Sequence, residues 1–525
     1  MPPVGVKRKA ESSSNVNDDY RDVKIGKNRV MKEEYEHEKD WDKNDKIVQI
    51  SSKAKKIIGF HLMPTCLPEP QTNEDKRVIF NKFLKDNLLE HFQIHWNENK
   101  EFDNEYFEII TKPWKVCVLK GLLDDISVLK DVRQEFYELD WNKRRLDLYN
   151  FHQSLDLKHV ELKNIKRVYE FLKNDVMKFV GKIMKAELTH VSATCSFYAD
   201  TDYLLVHDDQ REDRVIAFVL YFSDVYDWKE SWGGALQLFN HDGNYQPNIV
   251  ERSIYPNNNQ LVLFPVSPIS YHQVAEVTNK NFSRYSINGW FHGKIIPSNI
   301  TPMYETVQNK LTGNMLVSDI DLNEFINPMY LDQENIADIQ SQIENTSEIS
   351  LLNYFNDDFY NDVSNALENN ELKWKFVGPP NRCHYEILDE NSKPEPLQKL
   401  LEIFHSEVIL RLLKSYTDLE LAPRIQYEIQ RWSAGCYSLF SDSNTVGEPE
   451  LELIMYFGCE KVVGGKIQYV DREEEVQSAL VTLEHDNNTL NIIYTDTDRI
   501  NNYINKYTQK PFYVLMCKYN ENSIK

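Results

Sequence analysis

The side chains best placed to do chemistry begin with His207-Asp208-Asp209. In an extended strand, residues i and i+2 project from one face, so His207 and Asp209 can reach a single metal ion together. A third ligand is needed, and His272 is the candidate, one or more strands further on. Two imidazoles and one carboxylate leave coordination positions open, a donor set suited to non-haem iron(II). The pair alone is a weak signal: His-x-Asp is more often a solvated turn, and a later histidine adds little.

Arg284-Tyr285-Ser286, twelve positions after His272, carries more weight. An arginine pointing into a barrel is a costly buried charge unless an anion pairs with it. Its planar fork suits a carboxylate held through two hydrogen bonds, and Ser286 on the same strand face can add another. With the metal, these residues would receive a dicarboxylic acid, one end chelating the ion and the far carboxylate on the guanidinium. The plainer alternative is that Arg284 pairs with an Asp or Glu of the protein itself. A zinc hydrolase could use the same three ligands, but hydrolysis has no use for a carboxylate anchor at that distance.

Short strands must position these groups. Between His190 and His292, β-branched and aromatic runs alternate with turn residues: 191–198, 215–222, 235–239, 260–264, 272–277 and 284–291. Closely spaced strands of this kind build an all-β sandwich or barrel. Ahead of them, residues 75–190 read as mainly helical, with apolar spacing over Val78 to Leu89 and Leu162 to Ala186. Two short strands are expected there, Phe107 to Ile110 and Lys115 to Leu119. Residues 295–350 read as a connecting region, more polar and part helical. Leu351 to Leu367 and Pro396 to Tyr416 read as amphipathic helices, and a second strand-rich block runs from Pro423 to Tyr519.

The two β blocks resemble each other. Gly233-Gly234-Ala235-Leu236-Gln237-Leu238 matches Gly464-Gly465-Lys466-Ile467-Gln468-Tyr469. Val219-Leu220-Tyr221-Phe222 and Ile454-Met455-Tyr456-Phe457 precede them, and Asn259 to Phe264 and Asn488 to Ile493 follow, in the same order. This pattern indicates a duplicated β domain. The second copy lacks the chemistry. Ser441, Asp442, Ser443 and Asn444 lie where an HxD motif would fall, no histidine follows His485, and Phe512-Tyr513-Val514 stands in place of R-x-S.

The set His207, Asp209, His272, Arg284 and Ser286 resembles that of the 2-oxoglutarate-dependent oxygenases. Longer strings narrow the match: residues 198–209, Trp232 to Phe239, Arg284 to His292, and Ile326-Asn327-Pro328-Met329-Tyr330-Leu331. These are similar to the eukaryotic ribosomal prolyl hydroxylases, from about residue 75 to the C-terminus. The resemblance implies an α+β chain with two tandem double-stranded β-helix (jelly-roll) domains and flanking helices, the N-terminal one catalytic. On this reading residues 1–50 are a disordered tail, 51–295 the catalytic domain, 296–345 a connecting region, and 346–525 a degenerate domain without a metal site. The resemblance also implies iron(II) on His207, Asp209 and His272, which are then the catalytic residues. It implies 2-oxoglutarate on Arg284 and Ser286, contacted by the Tyr198 and Tyr221 hydroxyls, with O2 as oxidant and ascorbate as a supporting reductant. Taken bottom-up, both tyrosines are simply barrel core aromatics, Trp290 packs the barrel, and His292 is a surface or satisfied core histidine. The implied reaction couples decarboxylation of 2-oxoglutarate, to succinate and CO2, with hydroxylation of a C–H bond. The implied target is C3 of a proline in the small-subunit ribosomal protein at the decoding centre, with a link to translation accuracy or termination.

Bulk properties fit such an enzyme. At roughly 150 residues per domain, 525 residues allow two or three domains. The net charge of -22 disfavours nucleic acid and anionic membranes and favours basic polypeptides, including a ribosomal protein, with translation factors as further partners. Seven cysteines without a C-x-x-C pair are the usage of a reducing compartment. No apolar run approaches the ~20 residues that span a bilayer, and no secretory leader is seen. The expected location is cytoplasmic and nuclear, Lys7-Arg8-Lys9 being a weak nuclear signal or part of a charged tail. Other readings are another protein hydroxylase of the same superfamily and, from a different class, a non-catalytic scaffold in translation or mRNA decay.

Overall fold

A computed structural model describes residues 89–522 except 224–226, 296, 305–311, 316–319, 390, 392, 441–448 and 471–478. The 1–50 tail, most of the Val78 to Leu89 helix and Ser441 to Asn444 lie outside the described residues.

Among the described residues, alternating apolar runs build two antiparallel sheets of thirteen and twelve strands. In the first, Arg284–Gly293 sits between Leu188–Tyr198 and Arg214–Tyr221. Beyond Arg214–Tyr221 come Gln260–Pro265, Val116–Lys120 and Phe107–Ile110. Tyr149–Asp156 pairs with both Leu188–Tyr198 and Tyr203–His207, and so carries the sheet from one layer of the jelly roll into the other. The second layer is Tyr203–His207, His272–Val274, Leu236–His241 and the edge strand Pro247–Ile254.

The period of two along each strand separates two cores. Tyr285, Ile287 and Phe291 face outward with Phe197, Phe218 and Leu220, and pack against Leu129, Phe136, Ile165 and Val168 of the flanking helices. Asp125 starts one of these helices, Ile126–Phe136, by accepting the Ser127 N–H, which satisfies a donor left open at a helix start. The alternate residues face the barrel interior, where Tyr221, Leu236, Leu238, Val262 and Phe264 cluster with Trp114. Arg284 and Ser286 share that inner face.

The second sheet repeats the strand order of the first. Thr489–Thr495, Glu450–Phe457, Phe512–Asn520, Arg424–Trp432 and Cys383–Leu388 are followed by Tyr437–Ser438, Asp498–Asn501, Ile467–Val470 and Ala479–Leu483. Local detail repeats too. The Asn259 side chain exchanges two 2.9 Å hydrogen bonds with the Leu123 backbone. Asn488 does the same with Phe355, at 3.0 and 2.9 Å. Gly233 bridges to Val277, and Gly464 to Ile504. The chain is thus a tandem of two jelly rolls with flanking helices.

Three expectations need correction. Residues 142–156, inside the stretch read as mainly helical, form a hairpin of Asn142–Leu146 and Tyr149–Asp156; the charged, alternating Asn142–Leu146 arm carries no helical stripe and pairs only with Tyr149–Asp156, which itself joins the two layers. Glu348–Leu352 is a strand, and the helix begins only at Asp357 behind the Asn356 cap. Pro396 to Tyr416 is two helices, Glu395–Phe404 and Glu407–Thr417, because Ser406 caps a new start by accepting the Ile409 N–H.

Candidate active site

The pairing of His272–Val274 with Tyr203–His207 places His272 directly opposite His207. Asp209 follows the strand end with φ 66°, a left-handed turn that folds its carboxylate back toward the two rings. Its Oδ1 lies 3.6 Å from His207 Nε2 and its Oδ2 3.4 Å from His272 Nε2. The imidazole centroids are 4.2 Å apart at 53°, so the two Nε2 lone pairs converge instead of stacking. The Nδ1 of His207 bonds Leu205 O and that of His272 bonds Ser270 O, each at 2.8 Å. These bonds put the proton on Nδ1 and leave Nε2 free to act as a ligand.

The electrostatics agree with a cation site. Burial, then the neighbouring His272, lowers the His207 pKa to about 4, so its ring is neutral at pH 7. Burial would raise Asp209, but the neighbouring His272 and then His207 hold it well below the usual carboxylate range. Trp114 and Phe264 pack edge-on against His272, at 6.3 and 4.8 Å between centroids. Arg214 stacks on Trp290 at 3.5 Å and donates to the Asp209 carbonyl at 3.4 Å.

Arg284 is 2 % exposed. Its guanidinium carbon lies 4.8 Å from the Tyr198 ring and 4.9 Å from that of Tyr221. It donates to the Tyr221 hydroxyl at 3.3 Å, and its Nε has no partner. Among the described residues no Asp or Glu pairs with it, so the plainer alternative for Arg284 does not hold. A buried guanidinium with no carboxylate partner among the described residues is costly, and its fork could take the carboxylate of a bound anion. Ser286, wholly buried, donates to Asn288 at 3.3 Å. The seven expected residues therefore meet in one barrel interior. Trp114, Phe264, Arg214 and Asn288 join them without having been anticipated; cross-sheet packing carries no sequence signal short of a register.

A second cluster, His190, Asp213 and His292, also brings potential ligand atoms together. Its geometry differs. The two rings stack at 10°, and both nitrogens of His292 are engaged, by Asp213 and Ser192 at 2.7 Å each. Parallel rings cannot aim their lone pairs at one point. Here His292 is a satisfied buried histidine.

The second barrel replaces the same positions. By register, His272 opposite Leu238 corresponds to Arg499 opposite Tyr469, and Arg284 opposite Tyr198 to Phe512 opposite Trp432. Arg499 bonds Glu452 at 3.0 Å, and Lys518 bonds the same carboxylate at 2.7 Å. A fixed cation, Arg499, stands where the first barrel has His272.

Residues 193–292 match the model of the 2OG-Fe(II) oxygenase superfamily, and residues 318–525 match that of the oxoglutarate and iron-dependent oxygenase degradation C-terminal family. The prolyl 3-hydroxylase sudestada1 of Drosophila melanogaster is 31% identical over 86% of this chain and 92% of its own length. The chain belongs to the prolyl 3-hydroxylase family. The mouse prolyl 3-hydroxylase OGFOD1 is 29% identical over 77% of this chain and 86% of its own. A Pseudomonas putida prolyl-4-hydroxylase structure aligns with TM-score 0.29 and 18% identity over 34% of this chain and 92% of that one, too partial an overlap to carry weight. The protein is an enzyme, a 2-oxoglutarate-dependent prolyl hydroxylase using iron(II) and O2 on a protein substrate.

Proposed function

We propose that this enzyme hydroxylates C3 of a proline in a basic small-subunit ribosomal protein of the decoding centre, with His207, Asp209 and His272 holding the iron and Arg284 anchoring 2-oxoglutarate. One observation supports the assignment above the others: Arg284 is buried with no carboxylate partner among the described residues, in the same interior as three converging metal donors. Iron(II), when bound, supplies O2 activation and oxidative decarboxylation. The chain supplies placement. The two Nε2 atoms and the Asp209 carboxylate would hold the ion, three protein donors that leave coordination positions for co-substrate and O2. Arg284 would hold the distal carboxylate, with the Tyr221 hydroxyl bonded to its guanidinium, the Tyr198 ring against it and Ser286 on the same strand face. The apolar wall of Leu236, Leu238, Val262 and Phe264 keeps water from the reacting atoms. Ascorbate serves to keep the iron ferrous. The excess of acidic side chains, 82 Asp+Glu against 60 Lys+Arg, favours a basic partner. We place the catalytic unit at residues 51–295 and the degenerate one at 346–525, and the protein in cytoplasm and nucleus.

The test is mass spectrometry of a candidate ribosomal protein after incubation with enzyme, iron(II), ascorbate and 2-oxoglutarate. One added oxygen on a single proline, absent with His207→Ala, is the expected result. Turnover of 2-oxoglutarate with no modified proline in any ribosomal protein offered would reject the substrate assignment.

A further inference from the structure

Glu276 is a buried carboxylate that the chemistry does not use. It is 1 % exposed and lies where the two barrels meet. Its side chain accepts the Lys506 backbone N–H at 3.0 Å and the Tyr503 hydroxyl at 3.2 Å, both from the second barrel. The Tyr503 ring also packs on Tyr203 at 4.2 Å, and the Tyr507 hydroxyl donates to Asp200 at 2.8 Å.

The backbone of the same segment forms a wall of the Arg284 pocket. Glu276 O accepts the Gly234 N–H at 3.2 Å, and Val277 exchanges bonds of 2.7 and 3.0 Å with Thr201 and Asp202. Val277 clusters with Tyr198 and Val274. The fit at Gly234 is tight: an added Cβ would lie 3.1 Å from Val277 Cγ2 and 3.4 Å from Arg284 Cδ. Packed atoms thus run from Tyr503 and Lys506, through Glu276 and Val277, to Arg284 and Tyr198.

The duplication sharpens the point. Gly233 bridges to Val277 as Gly464 bridges to Ile504, and Ile504 exchanges bonds with Gly435 and Cys436 as Val277 does with Thr201 and Asp202. Corresponding segments of the two barrels therefore face each other. Only the first carries a carboxylate, and Tyr503 of the second is one of the groups that engage it.

We propose that Glu276 is a positioning residue for 2-oxoglutarate: the second barrel, docked on its carboxylate, holds the 276–278 segment against Gly234 and keeps the Arg284 pocket in shape. The proposal rests on Arg284 being the co-substrate anchor. It gives the second barrel, which carries Arg499 and Phe512 in place of site residues, a task inside the same molecule.

The test uses the full chain. Turnover gives KM for 2-oxoglutarate and kcat, and calorimetry on the Mn(II)-loaded enzyme gives the 2-oxoglutarate dissociation constant. Losing two buried hydrogen bonds to one carboxylate should raise both KM and the dissociation constant about tenfold in Glu276→Ala, with kcat within about twofold. Glu276→Gln, which keeps the acceptor oxygen, should stay within about twofold of wild type, while Tyr503→Phe, cut from the opposite barrel, should weaken binding about threefold. Amide hydrogen exchange over Gly233 to Ala235 should quicken in Glu276→Ala. If Glu276→Ala does not fold, Tyr503→Phe decides. Unchanged 2-oxoglutarate binding in the folded variant overturns the proposal, as does a loss confined to kcat. Arg284→Ala is the control: if it loses the co-substrate while Glu276→Ala keeps it, only the positioning role fails. If Arg284→Ala still binds 2-oxoglutarate, the anchor reading fails with it.

Discussion

Replacing Arg284 by methionine should raise the stability of the ligand-free protein and at the same time abolish its response to 2-oxoglutarate. The guanidinium is 2 % exposed, with one 3.3 Å bond to Tyr221, ring contacts at 4.8 and 4.9 Å, and an unpartnered Nε. Burial of such an ion costs several kcal/mol. The long bond to Tyr221 returns about 1 kcal/mol, and the two ring contacts about 1 kcal/mol each. Methionine fills a similar volume without a charge, so Arg284→Met should stabilise the empty barrel by about 1–2 kcal/mol. The ligand side has the opposite sign. Two charge-assisted bonds to a carboxylate contribute about 3–5 kcal/mol, which corresponds to a loss of roughly 100-fold or more in affinity. Thermal melting under nitrogen, with Mn(II) and with or without 2-oxoglutarate, measures both. Wild type should gain about 2.7 kcal/mol at a ligand concentration of 100 times its dissociation constant; the variant should melt higher when empty and gain nothing. A variant that is less stable when empty yet still stabilised by 2-oxoglutarate would show that Arg284 is a structural residue, and the reasoning from its missing counter-ion would be refuted.

Two pH profiles and one glycine test the remaining framework. Glu452 would be raised by burial, but Arg499 and then Lys518 hold it down at about 2. A lowered carboxylate adds stability above its unfolded pKa that is lost as pH falls from about 4.5 through 2, and Glu452→Gln should therefore cost about 3 kcal/mol at pH 7, still about half of that at pH 3, and converge on wild type only below about pH 2 in acid unfolding curves. Glu276 behaves in reverse: burial raises it to about 7 against the Lys506 and Tyr503 hydrogen bonds. The folded state then holds the proton more tightly than the unfolded chain, so stability falls as pH climbs from about 4.5 to 7, by at most about 3 kcal/mol, and Glu276→Gln should flatten that slope. Equal slopes in the two proteins would contradict the assignment. Gly233 has φ 65°, and a Cβ there would lie 1.9 Å from Glu276 O; Gly233→Ala should cost more than about 2 kcal/mol in denaturant unfolding, and a silent substitution would mean that the 276–278 segment is not held where the fold puts it.

Much of the site was legible because its signals are local. His207 and Asp209 are linked by strand periodicity, Arg284 and Ser286 by the same rule, and the repeated Gly-Gly pairs mark a tight approach that only glycine allows. The hairpin at 142–156 was not legible: its charged arm Asn142–Leu146 has no apolar stripe to distinguish it from a solvated helix, and the pairing of Tyr149–Asp156 with both layers depends on strands far along the chain. The break at His405-Ser406 was missed for a related reason: the apolar positions of the helices before and after it read as one continuous pattern, and Ser406 becomes a cap only through its bond to the Ile409 N–H.

What the amino-acid order determined by itself was the chemistry available: which residues can bind a metal and a carboxylate, which face of each strand they share, and that the second half of the chain lacks them. What the tertiary structure alone decided was convergence and isolation. Whether Arg284 meets a protein carboxylate, whether the lone pairs of His207 and His272 aim at one point, and whether Glu276 joins the two barrels all depend on strand register and layer packing. Those are set by contacts between residues far apart in the chain, and periodicity within one strand carries no information about its neighbour.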